Sequence, residues 1–138
     1  MTEQDHADPA HAGRLHHVEW VVGDYESCVD FYDWFLGRLG YEIKNEWEDG
    51  RSYERGPTYL VVKRAAADGA FDRDAPGLDH LAFHAPSRER VDELTAGVRE
   101  RDEPTVLYPD RHPYAGGYYA LYCEDPAGIV LEVVAPEV

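Results

Sequence analysis

Chemistry in this 138-residue chain points first to a carboxylate among apolar neighbours: in Ile129-Val130-Leu131-Glu132-Val133-Val134, Glu132 is the one charged residue. Buried there without a partner, it would cost several kcal/mol or take up a proton, and a cation relieves that cost. Two histidines stand in matched surroundings elsewhere. The segment Leu78-Asp79-His80-Leu81-Ala82-Phe83-His84 repeats the shape of Leu15-His16-His17-Val18-Glu19-Trp20-Val21, with His80 aligned on His17, Leu81 on Val18 and Phe83 on Trp20. An isolated strand histidine is more often a hydrogen-bonded core residue than a ligand, and Glu132 alone can pair with an arginine. Two imidazoles at equivalent positions of related units, joined by one carboxylate, instead form a facial set that grips a divalent ion and leaves positions open. An ion so held can bind two neighbouring substrate oxygens and the negative charge that develops on an enolate or alkoxide.

Strand alternation has to aim these side chains together. Val18, Trp20 and Val22 share one face, so His17, Glu19 and Val21 share the other. The same alternation sets His80, Ala82 and His84 opposite Leu81 and Phe83, and sets Glu132 opposite Leu131 and Val133. After the first strand, Asp24 is placed to cap a helix with apolar positions Cys28, Tyr32, Phe35, Leu36 and Leu39, which Gly37 or Gly40 can end. Segments 41–47, 51–55 and 58–64, separated by Asp49-Gly50 and Gly56-Pro57, form a meander of strands. Residues 65–77 are a linker or long loop. Ser87 then caps a second helix with Val91, Leu94 and Val98 on its buried stripe, and Pro104 marks its end. Strand signals return at 105–108, 118–123 and 129–134, the last two joined by Asp125-Pro126-Ala127-Gly128, a type I turn pattern. The whole reads as an α+β fold of two tandem βαβββ units, about 15–64 and 78–135, in one domain spanning 15–138. Two half-sheets then make a curved, partly closed mixed β-sheet around a metal cleft. Residues 1–14 form a polar tail, disordered at least in part.

Thirteen Lys and Arg stand against 28 Asp and Glu, a net charge of −15. A field of that sign repels nucleic acid and anionic membranes. Lys44 and Lys63 are the only lysines, and the pattern is that of a salt-adapted acidic surface. Cys28 and Cys123 form no CxxC pair and read as small buried fillers. No apolar run approaches the roughly 20 residues that cross a bilayer, and the polar start lacks the layout of a secretion signal. A cytoplasmic protein is the expectation.

The tandem units, the strand Leu15-His16-His17-Val18 leading to Asp24 and Phe31-Tyr32, the opening Gly77-Leu78-Asp79-His80-Leu81-Ala82-Phe83, and Asp125-Pro126-Ala127-Gly128 running into Glu132 together resemble the vicinal oxygen chelate superfamily. That superfamily holds glyoxalase I, extradiol dioxygenases, fosfomycin-resistance thiol transferases, methylmalonyl-CoA epimerases and bleomycin-resistance proteins. The chain is similar to its small glyoxalase-like members from about 15 to 135. The resemblance implies metal ligands at His17, near 58–63, at His80 and at Glu132. Tyr59, Leu60, Val61 and Val62 offer no strong ligand at the second place, which departs from glyoxalase I and matches the two-His, one-Glu set of the dioxygenases and fosfomycin enzymes. Glu19, two residues beyond His17 on the same face, is the substitute ligand or base.

The resemblance further implies one divalent metal ion (Fe, Mn, Zn, Ni or Co), a small-molecule substrate and a homodimer. Some members exchange units between chains, so His17 and Glu132 at one metal can belong to different subunits. Two other readings stay open: a glyoxalase-like lyase or isomerase using Glu19, and a metal-free binding protein of the bleomycin-resistance kind. The aromatic, glycine-rich loop 108–119 resembles one that recurs in small glyoxalase-like members, and its His112 and Arg111 can contact substrate or supply a proton; a plain turn is the other reading. Tyr118 and Tyr122 share a strand face, with Tyr122 expected toward the cleft. His84 either supports the ligands or ends its strand in solvent.

Overall fold

The computed structural model describes residues 9–67, 69–108 and 118–137. After a 3₁₀ turn at Pro9–His11, the first unit runs β1 (His17–Val22), α1 (Tyr25–Gly37), β2 (Glu42–Trp47), β3 (Gly50–Arg55) and β4 (Thr58–Arg64). The second repeats it as β5 (Leu81–His84), α2 (Arg88–Arg99), β6 (Thr105–Leu107), β7 (Ala120–Glu124) and β8 (Val130–Val134). Each unit has its own four-stranded mixed sheet, ordered β1-β4-β3-β2 and β5-β8-β7-β6. In both, the first strand lies parallel to the last, and the remaining pairs are antiparallel. The expected α+β duplication is thus present; the two sheets remain separate and no barrel closes.

Periodicity and burial agree on which faces pack. Trp20 and Val22 are buried while His17, Glu19 and Val21 are exposed. Leu131 and Val133 are fully buried with Leu121 and Cys123. Both cysteines are buried and free, as their apolar settings suggest. Cys28, Tyr32, Phe35 and Leu36 form the inward stripe of α1, and Val91, Leu94 and Val98 that of α2.

The units join through these packed sides. Phe83 lies edge-on to Phe35 and Tyr41, with ring centroids 6.0 and 6.3 Å apart. Trp34 of α1 rests against Gly97 of α2, where a Cβ would collide with the indole, and the Arg101 guanidinium covers that indole at 3.8 Å. The Tyr32 hydroxyl donates to Asp125 Oδ2 at 2.6 Å, a buried bond reaching from one unit into the closing turn of the other. Asp125 Oδ1 in turn accepts from the Ala127 and Ile129 amides at 2.8 and 2.9 Å, and Gly128 completes the turn at φ +94°. The Asp-Pro-Ala-Gly pattern therefore directs the chain into β8 and also anchors the seam.

Several boundaries differ from expectation. Ser87 caps α2 through Oγ, which accepts from the Arg90 amide at 3.1 Å, but Asp24 makes no side-chain cap bond. The backbone of Asp24, at φ −105° and ψ 75°, is not extended as that of Ser87 is, so only its carbonyl serves the helix, accepting from the Cys28 amide at 2.9 Å. Helix α2 stops at Arg99, ahead of Pro104, and the Arg101 side chain caps its end by donating to the Gly97 carbonyl at 2.9 Å. Tyr118 lies just before β7, and Leu15 and His16 just before β1.

Candidate functional site

Glu132 sits at the middle of β8, 3% exposed, in register between Ala82 of β5 and Tyr122 of β7. Burial pushes its carboxyl above the usual carboxylate range, while the neighbouring His80 pulls it back. His80 Nε2 lies 3.1 Å from Glu132 Oε1, and the Tyr118 hydroxyl donates to Oε2. On the far side of the imidazole, Nδ1 is 2.7 Å from Asp79 Oδ1, which also accepts from Arg73 Nε at 3.0 Å and Nη2 at 2.8 Å. Arg73 and His80 hold the Asp79 carboxyl below its ordinary value.

A carboxylate only accepts, so Asp79 favours a proton on Nδ1; with that proton alone on the ring Nε2 presents a lone pair to the Glu132 carboxylate, and with a second proton Nε2 donates to it. Two lone pairs facing each other are satisfied by a shared proton or by a cation. Two donors each about 2.1 Å from one ion and at right angles to each other stand about 3 Å apart, so the observed separation fits a metal pair. Tyr122, buried and in register with Glu132, meets the His80 ring edge-on at 6.1 Å. Tyr108, the one non-glycine residue with positive φ among those described (+48°), packs edge-on to Tyr122 at 5.3 Å.

His17 is elsewhere. Its ring stacks flat on Tyr59 at 4.5 Å, and its Nδ1 is 3.0 Å from that of His16. Glu19, on the same face, is 3.3 Å from Lys63 Nζ. Beside them a recess of about 340 Å³ is lined by Glu19, Lys44, Trp47, Ser52, Tyr59 and Val61. A Cβ on Gly50 would lie 2.5 Å from the Trp47 indole, so the missing side chain lets that ring lie over the strand. Among the described residues, no three His, Cys, Asp or Glu side chains gather to hold a metal ion.

The expected trio is therefore divided within one chain. His80 and Glu132 meet; His17 heads a second open face. His112 lies outside the described residues, and His84 lines the seam between the units. Sequence reasoning passed over Asp79 and Arg73, and named Tyr118 only as sharing a strand face with Tyr122. Asp79 was legible, because a carboxylate directly before a candidate ligand histidine is a ready partner for its second nitrogen. Arg73 was not, since it comes from what read as linker.

With the geometry described, relatives can be compared. The model of the Glyoxalase/Bleomycin resistance protein/Dioxygenase superfamily matches residues 14–133. The chain belongs to this superfamily. An uncharacterised protein of Bacillus subtilis, YqjT, is 42% identical over 127 residues, covering 88% of this chain and 98% of the relative. The crystal structure of a provisionally assigned glyoxalase from Bacillus halodurans matches at 49% identity with a TM-score of 0.84, covering 94% of this chain and all of the other. A lactoylglutathione lyase from Agrobacterium tumefaciens matches at 24% identity and a TM-score of 0.62, over 89% of this chain and 93% of its own, a likeness of fold. No helix among the described residues is long and apolar enough to cross a membrane.

Proposed function

We propose that this superfamily member is a metal-dependent enzyme acting on a small oxygen-chelating molecule, with a site completed between two subunits of a cytoplasmic homodimer. The observation that carries the reading is the His80–Glu132 pair: a buried carboxylate in an apolar strand, 3.1 Å from an imidazole nitrogen. In this reading His80 and Glu132 of one subunit would hold the divalent ion with His17 of the other, and the ion would supply Lewis-acid stabilisation for negative charge developing on substrate oxygen. The chain's own residues do the rest. Asp79 accepts a hydrogen bond from Nδ1–H of His80 and so leaves the Nε2 lone pair for the ion. Tyr118 fixes the second oxygen of Glu132, and Tyr122 covers the pair from solvent. Tyr59, Val61 and Trp47 give the opposing face an apolar wall, and Glu19 beside them is the base assigned to the substrate carbon.

Metal analysis of the purified chain, with its mass in solution, tests the reading. About one metal per chain in a dimer is expected, lost in His80→Ala and Glu132→Gln. Mixing His17→Ala with Glu132→Gln subunits should restore one intact site per heterodimer, because each subunit lacks what the other contributes. No metal after reconstitution would favour a metal-free binding protein of the bleomycin-resistance kind. Metal held fully by a monomer would refute the shared site.

A further inference from the structure

The seam between the units carries a feature that the proposed metal site does not use. A cavity of about 620 Å³ opens there, with Arg14, Arg38, Arg55, Arg90 and His84 among its lining residues. No carboxylate is among its lining residues. In a chain with 28 Asp and Glu against 13 Lys and Arg, a wall drawn at random would carry twice as many acids as bases. Glu93 pairs with both Arg38 and Arg90 Nε, the latter at 2.8 Å, so one carboxylate serves two guanidinium groups.

The cationic wall is also built. Arg55 donates Nε to the Leu39 carbonyl at 2.9 Å, which employs one of its five N–H groups. It can lie there because position 40 is glycine, at φ +94°: a Cβ would come 2.8 Å from Arg55 Nε. Arg90 donates to the Arg38 carbonyl, which ties the start of α2 to the end of α1. Like charges gathered around one cavity repel one another, and an anion among them relieves that cost. Beside the arginines the wall is apolar, with Tyr41 and Phe83 edge-on to each other. Arg14, Pro57, Thr58 and His84 continue into an adjoining recess of about 770 Å³ that reaches Leu15.

We propose that this seam cavity binds a small organic phosphate, its doubly charged head gripped by Arg14, Arg55 and Arg90 and its apolar body lying against Tyr41 and Phe83. The planar fork of arginine suits a phosphate oxygen pair, and an excess of cations over carboxylates favours a head with two charges. His84, which the metal site leaves unused, also lines the cavity.

Calorimetric titration of the full chain with phenyl phosphate, inorganic phosphate and benzoate tests this. Phenyl phosphate should bind at one site per chain, about tenfold more tightly than inorganic phosphate, because its ring buries apolar surface. Arg55→Gln and Arg14→Gln should each weaken it about tenfold, the worth of a charge-assisted hydrogen bond. Arg99→Gln, outside the cavity, should leave it unchanged, and circular dichroism should give the same spectrum for all three. Absence of saturable binding overturns the proposal. So does affinity that survives both cavity substitutions, as it would for phosphate held at a metal. Benzoate binding as tightly as phenyl phosphate overturns the assignment of a doubly charged head.

Discussion

Replacing Asp125 by alanine tests whether the closing turn also holds the two units together. The change removes three acceptor bonds, from the Tyr32 hydroxyl at 2.6 Å and from the Ala127 and Ile129 amides at 2.8 and 2.9 Å. Tyr32 is fully buried and the Ile129 amide lies at a buried position, so those two donors lose their partners without gaining water. At about 1–3 kcal/mol for each orphaned donor, the gross loss is about 2–6 kcal/mol. Removing a carboxylate that burial disfavours offsets part of it, which leaves about 2–4 kcal/mol. Asp125→Asn keeps an acceptor oxygen for the turn amides and should cost about 1 kcal/mol. The pH dependence is a second handle. Burial raises the Asp125 pKa despite its hydrogen bonds. The folded state therefore holds the proton more tightly, and this contribution is full below the unfolded value of about 3.9 and is lost as pH rises through the raised folded value. Wild-type stability relative to Asp125→Asn should consequently fall as pH is raised from about 4. Urea unfolding across that range measures both quantities. A cost below about 1 kcal/mol for Asp125→Ala, or equal costs for the two variants, would refute the reasoning.

Asp79→Asn should weaken metal binding about 10- to 100-fold, since a lost partner at Nδ1 frees the ring orientation and tautomer; titration with zinc or manganese reads the affinity, and an unchanged value counts against Asp79 as the residue that positions His80. Gly97→Ala should lower stability by about 1–2 kcal/mol even though alanine favours helix, because the new methyl group meets the Trp34 indole; a raised melting temperature would contradict that contact. Gly50→Ala should displace Trp47, read as a shift in tryptophan emission with the fold intact.

How much of the site was readable follows from the range of each physical rule. Alternation along a strand is local, so His17 and Glu19 could be set opposite the buried Trp20 and Val22 from their neighbours alone. A single charge inside Ile129–Val134 marked Glu132 as buried and in need of a partner. The Tyr118 contact was harder to see: the residue lies outside β7, where strand periodicity no longer says which way a side chain turns. Arg73 reaches Asp79 from a segment whose composition signalled only a loop.

The linear order of residues by itself determined two βαβββ units, their inward stripes and the open faces that carry the candidate ligands, because spacing and turn chemistry act over a few residues. Only the tertiary structure decided how the units meet: Tyr32 against Asp125, Trp34 against Gly97, Phe35 against Phe83. That docking depends on side-chain shapes brought together from far apart in the chain. It leaves His17 away from His80 and Glu132 within one chain, and it gathers four arginines from distant segments around a cavity that no local pattern could announce.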